Sequence, residues 1–458
     1  MKKLLVFVLI VVMVFSVLAG CSSSGTPSNE GQNTGQNEQN TGQKDDVKDQ
    51  NDEEPAQEAE VTELTYWIFN ELHADMYDFA EKAYNEKYPD APVKLNGEVY
   101  PNAEMHNNLL IALQSNTGAP DIVDINLNFF SNFLQGDIQL AELNDIVEPE
   151  LDNLVQSRLD IYAKDGKYYG LPTHIGATVV YYNKEITDQA GVDIDAIETW
   201  DDYIEAGKQV LDKVGVPMTA YEVSNQRPFW PLIVQSGGDY LAADGSVALD
   251  SDVNIKTLEF MHKMMFEDEI AIAMPGGNTT VEEFWTFMNN GGMASLIMPS
   301  WFMSRFTNYM PDLAGKVYIR PMPVHKEGDP RTVGIGGTAT SVTKQSEALD
   351  IAKKVVAEAK LTKEANINIW NTLSFDPVRT DVWDSEDLLK PDEYFGNESF
   401  FEIMAPYMAD APSPVNAELS AAAQDLVISN VMYKVFVDQS ATPEEALKAA
   451  ADELRASE

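Results

Sequence analysis

From Val61 onward the chain switches between two hydrophobic periods, and that alternation restricts it to a small set of folds. Thr62, Leu64, Tyr66 and Ile68 alternate with Glu63, Thr65, Trp67 and Phe69, a period of two that predicts a strand. Met76, Phe79, Ala80, Ala83 and Tyr84 then recur at three- and four-residue spacing and stop at Pro89, which predicts a helix. Pro92–Tyr100 reads as a second strand. Met105, Leu109, Ala112 and Leu113 mark a second helix, and after the Gly118-Ala119-Pro120 break Asp121–Ile125 is a short apolar strand. Strand–helix–strand–helix–strand implies an α/β fold whose strands are parallel and joined by crossovers.

Later helices announce their starts. Thr199-x-x-Asp202, Thr280-x-x-Glu283 and Thr442-x-x-Glu445 fit capping boxes, and Pro443 adds the favoured first-turn proline. Ala348, Ile351, Ala352, Val355 and Ala359 carry the period of a further helix. At 458 residues the chain has room for about two to four folding units.

The first 60 residues are different material. Lys2 and Lys3 precede the apolar run Leu4–Leu18, and small residues Ala19 and Gly20 then lead to Cys21, the pattern of an export signal. The alternative, an uncleaved anchor, has an apolar run at the short edge of what spans a bilayer. Leu18-Ala19-Gly20-Cys21 resembles the lipobox of bacterial lipoproteins, in which the cysteine becomes the lipidated first residue. Cys21 is the only cysteine in the chain. Residues 22–60 are rich in Ser, Gly, Gln, Asn, Thr, Asp and Glu, and so few apolar side chains predict an extended tether. Residues 1–20 are therefore expected as signal and 21–60 as lipidated cysteine plus tether, holding a globular part near the outer face of a membrane.

Composition excludes several classes. Lys plus Arg number 31 against 74 Asp plus Glu, a net charge of −43 that repels phosphate backbones and argues against nucleic acid. A single cysteine leaves no intrachain disulfide framework. The five histidines contain no H-x-x-x-H pair, so no metal and no cofactor is expected. Asp193-x-Asp195 begins like a calcium loop but Ile197 breaks it. No G-x-S-x-G elbow occurs, and Gly334-x-Gly336-Gly337 fails the dinucleotide fingerprint at Ala339.

A set of collinear segments is similar to one family. Asp121-Ile-Val-Asp124 resembles the third strand of the substrate-binding proteins of ABC sugar importers, and Tyr168-Tyr-Gly-Leu-Pro172 with Val179-Val-Tyr-Tyr-Asn-Lys184 resembles that family's passage between lobes. Thr199-Trp-Asp-Asp-Tyr203, Gln235-Ser-Gly-Gly238, Gly292–Trp301, Gly336-Gly-Thr338, Asp376-Pro-Val-Arg379 and Thr442–Leu447 follow in order. The chain is thus similar to extracellular solute-binding proteins of the maltose-binding type. The resemblance implies a two-lobe, type II periplasmic-binding-protein-like α/β fold with a hinge. Residues 61–174 and 336–385 would form the N-terminal lobe, 175–335 and 386–458 the C-terminal lobe. It also implies a monomeric receptor that captures a sugar, more readily an oligosaccharide, and delivers it to ABC permease subunits. A membrane-anchored glycoside hydrolase and a receptor presenting ligand to a membrane sensor are the alternatives.

A sugar offers apolar C–H faces and a rim of hydroxyls, which call for flat rings and polar or charged hydrogen-bonding groups. Trp301, where the family pattern places a cleft tryptophan, leads the candidates, followed by Trp230 in a proline-flanked loop. Asp124 and Asn126 end the third strand; Trp67, Asn70 and Glu71 end the first. Gly336 and Gly337 would let backbone approach a ligand or merely permit a turn. Arg379 and Trp370 complete the set, Arg379 with Asp376 and Asp381 as competing partners. Asn183 is expected as a helix cap, Trp285 and the Met261, Met264, Met265 run as packing.

Overall fold

The computed structural model describes residues 60–457. The export signal, Cys21 and nearly all of the tether lie outside the described residues. The first sheet has the strand order 93–99, 62–68, 122–126, 338–342, 171–172. Thr62–Ile68 runs parallel to both Val93–Val99 and Ile122–Asn126, as the alternation predicts. Thr338–Val342 enters from far along the chain and pairs antiparallel with Ile122–Asn126. That third strand is central and covered on both sides, which is why it reads as an apolar run. Val123 and Ile125 face the helix Asn102–Ser115 through Met105 and Leu109, and Ile122 shares the opposite core with Leu64, Tyr77 and Ala80.

The second sheet is built around Thr178–Asn183, whose six residues are all buried. Ser295–Pro299 and Val317–Pro321 flank it, both antiparallel. A parallel pair, Thr219–Tyr221 with Ala271–Ala273, lies beside it, and the Ser295 N–H donates to the Met218 carbonyl at 2.7 Å.

Three passes of chain link the sheets. Residues 173–177 and 333–338 run side by side, with Ile335 N–H donating to the Gly176 carbonyl at 2.9 Å and Thr178 N–H to Val333 at 2.9 Å. Asp376, on a third pass, accepts the N–H groups of Gly176 at 3.0 Å and Ala177 at 2.8 Å. The fully buried Arg158 braces the second of these passes, donating to the carbonyls of Gly334 at 2.9 Å and Gly336 at 2.6 Å. A guanidinium with five fixed donors suits crossing strands whose carbonyls lack ladder partners.

Most helix starts fall where the sequence places them. Thr199 and Thr442 form reciprocal capping boxes with Asp202 and Glu445. The third box does not form. The Thr280 N–H and hydroxyl both donate to Asn278 Oδ1 at 2.7 Å, and the helix begins at Glu282 instead. An Asx-type turn has outcompeted the cap. Trp230 is also corrected: it is not in a loop but opens the helix Trp230–Gln235, with Pro231 in its first turn. Asn183 caps the following helix through Ile186 N–H, and Met261 and Met264 lie in the core.

Candidate functional site

Between the sheets, beside the crossing passes, lies a cleft of about 330 Å³. One wall comes from the carboxyl ends of the first sheet's parallel strands, where the chain turns from strand to helix and backbone N–H groups need caps. Phe69 and Asn70 leave Thr62–Ile68, and Asn70 Oδ1 accepts the Leu72 N–H at 3.2 Å, which starts the turn carrying His73. Asn126 ends its strand the same way, accepting the Asn128 N–H at 3.0 Å. Its own N–H donates to His106 Nε2 at 2.9 Å, so His106 Nδ1 carries a proton toward the Asn102 carbonyl. Burial pulls the His106 pKa down to about 4, against the opposing pull of that carbonyl, and the ring stays neutral.

The opposite wall is cationic and aromatic. Trp301 follows Ser295–Pro299 on a tight turn, half-buried, its indole N–H on the Ile335 carbonyl at 3.3 Å. The guanidiniums of Arg227 and Arg305 sit 5.9 Å and 6.0 Å from its ring centre. Arg227 is gripped by the buried Glu222 carboxylate, whereas among the described residues Arg305 donates to Ser304 Oγ at 2.8 Å and pairs with no carboxylate. Burial lowers the Arg305 pKa, and Arg227 pushes the same way. The floor is Ile335–Thr338, with Gly336 and Gly337 at φ 73° and 129°. His174 and Phe375 close the end near the crossings. Among the described residues both His174 ring nitrogens are buried without a partner; burial first, then Arg158, His73 and Lys360, hold its pKa well below the usual value.

The candidates read from sequence divide into two groups. Trp301, Trp230, Asn70, Asn126, Gly336 and Gly337 line the cleft. Trp230 does so only by an edge: it is 3% exposed, stacked on Tyr240 at 5.2 Å, with its N–H on Asp239 at 2.8 Å. Asp124, Trp67, Glu71, Arg379 and Trp370 lie outside the lining. Asp124 is 0% exposed and bonded to His73, Tyr77 and Thr340. Trp67 packs edge-on against Tyr100, Glu71 is exposed, and Trp370 packs on Phe400 and Phe401. Arg379 is fastened to Asp381, Glu150 and the Leu361 carbonyl.

His73, His174, Arg227, Arg305 and Phe375 escaped the sequence reading. Arg305 had a usable signal, four residues after Trp301 on one helical face; the histidines had none. Among the described residues no group of three or more His, Cys, Asp or Glu converges on a metal position. The lining offers rings, guanidiniums and amides and contains no Asp or Glu. Such a surface can bind a hydroxyl-rich ligand but has no carboxylate pair for acid–base chemistry.

Comparison with known proteins agrees with this geometry. The family model for bacterial extracellular solute-binding proteins matches residues 70–365. An arabinooligosaccharide-binding protein of Halalkalibacterium halodurans is 45% identical over 86% of this chain and 89% of its own. A second protein of that name, from Bacillus subtilis, is 41% identical over 99% of this chain and 100% of its own. Among solved structures the GacH receptor of Streptomyces glaucescens superposes with a TM-score of 0.71 at 18% identity, covering 86% of this chain and 98% of that one. That likeness carries the two-lobe fold. The chain belongs to the family of bacterial extracellular solute-binding proteins.

Proposed function

We propose that this chain is a lipid-anchored extracellular receptor that captures an arabinooligosaccharide between two lobes and delivers it unaltered to the permease subunits of an ABC importer. The observation that carries the reading is the make-up of the cleft: an indole between guanidiniums, ringed by amides, with no carboxylate. Rings suit the C–H faces of a sugar, and amides and guanidiniums suit its hydroxyls. A glycosidase needs two carboxyl groups flanking the scissile bond, and this wall supplies neither. The names of the two relatives at 45% and 41% identity support the sugar class.

Trp301, Asn70, Asn126, Gly336, Gly337 and the edge of Trp230 are the proposed contacts. The lobes are residues 61–174 with 336–385, and 175–335 with 386–458; passes at 173–177, 333–338 and 376 support those bounds. Closure about these passes would bury the ligand and present one shape to a permease. Lipidation at Cys21 and the monomeric state are part of the same proposal. Calorimetry with arabinotriose, with the sugar recovered by chromatography, tests it. Saturable binding and intact sugar are expected; cleaved product would reject it in favour of a hydrolase.

A further inference from the structure

A sugar hydroxyl needs a donor for its lone pairs and an acceptor for its proton. This cleft carries donors in its guanidiniums and acceptors in its amide oxygens, the Thr338 hydroxyl and its imidazoles. Arg227 and Arg305 only donate, and no carboxylate lines the wall. The side-chain oxygens of Asn70, Asn126 and Asn225 already accept the N–H groups of Leu72, Asn128 and Arg227.

His73 is built differently. Its Nδ1 lies 2.8 Å from Asp124 Oδ2, and its side chain is otherwise enclosed. Asp124 Oδ1 is occupied by the Tyr77 hydroxyl at 2.8 Å and the Thr340 hydroxyl at 2.6 Å. Burial works to raise the Asp124 carboxyl, but Lys360, His73 and Thr340 outweigh it and bring it down to about 2. The buried Lys360 donates to Thr173 Oγ1 at 2.9 Å and supplies a cation that favours the ionised Asp124. Facing an ionised carboxylate, a neutral imidazole keeps its proton on Nδ1 and its lone pair on Nε2. Among the described residues Nε2 has no protein partner, and His73 lines the cleft.

We propose that His73 Nε2 is an acceptor for a ligand hydroxyl, and that the buried Asp124 acts through the Nδ1–H bond to fix its tautomer and strengthen it. The proposal rests on the saccharide reading. It also gives Asp124 a positioning role at one remove from the ligand.

The test uses the full chain with nitrogen-15-labelled histidine and arabinotriose as probe. The free protein should show His73 as the Nδ1–H tautomer, and the sugar should shift its Nε2 resonance without protonating it. His73→Gln should weaken binding at least about tenfold, measured on protein whose unliganded melt still shows one cooperative transition. Asp124→Asn leaves an acceptor for Nδ1–H but removes the charge, and should weaken binding about threefold or more. Wild-type protein that binds arabinotriose with an unmoved Nε2 resonance, or His73→Gln with full affinity, overturns the assignment and leaves the receptor reading standing. Absence of binding to any saccharide by the wild type overturns the reading beneath it.

Discussion

The indole N–H of Trp301 donates to the carbonyl of Ile335 at 3.3 Å, tying the cleft's half-buried ring to one of the chain passes that join the two sheets. The ring is therefore held at a fixed angle before any ligand arrives. Preorganised rings lose little conformational freedom on binding, so more of their contact energy appears as affinity. Trp301→Ala should weaken arabinotriose binding by about thirtyfold or more, a typical cost for truncating a central aromatic anchor. The unliganded melting temperature should change little, because the ring is only half-buried. Titration calorimetry beside a thermal melt measures both.

Gly337 combines φ 129° with two close neighbours: a Cβ there would lie 2.6 Å from the Arg158 guanidinium and 2.8 Å from the Tyr162 hydroxyl. Both neighbours are buried and have nowhere to retreat. Gly337→Ala should destabilise the protein by about 2 kcal/mol or more, summing backbone strain and clash. Urea unfolding at neutral pH reads this directly; an unchanged midpoint would refute the packing described for the crossings.

Asp124 sets an acid limit. Its folded pKa of about 2 is below the unfolded value of 3.8, so the unfolded chain takes up the proton first as pH falls. The stability contributed is therefore fully present above 3.8 and is lost as pH drops through about 2. It amounts to roughly 2 kcal/mol from the size of that shift. Asp124→Asn should be less stable at neutral pH and should show a flatter pH dependence across that window, followed by urea unfolding.

Arg379 serves as the opposite case to Trp301. It is buried and tied to Asp381, Glu150 and the Leu361 carbonyl, away from the cleft. Arg379→Ala strands those partners and should cost about 3 kcal/mol of stability, with arabinotriose affinity within about twofold of wild type. A large loss of affinity at unchanged stability would instead move Arg379 into the site.

The strands Thr62–Ile68, Val93–Val99 and Ile122–Asn126 could be read from the chain because alternation and apolar runs are properties of neighbours in sequence. So could the boxes at Thr199 and Thr442, which need only a four-residue span. The box at Thr280 failed because Asn278, two residues upstream, offered a competing acceptor. The π-helical segment Val427–Val437 had no announcement either, since its apolar residues fit an ordinary helical period equally well.

Asn70, Asn126 and Trp301 could be expected at the cleft, which they line, because strand ends face it in open α/β sheets. Local pattern determined that much: the α/β elements, their order, and the polar and aromatic residues at strand ends. Only the tertiary structure decided which of those residues line the cleft. Asp124, two residues earlier than Asn126 on the same strand, is capped by Tyr77 and Thr340 from other elements and cannot reach the cleft. His73, Arg227 and Arg305 meet there because sheet order and the crossing passes bring distant segments together. Chain periodicity is set by geometry between neighbours, whereas convergence across two hundred residues is set by packing, and no local pattern encodes it.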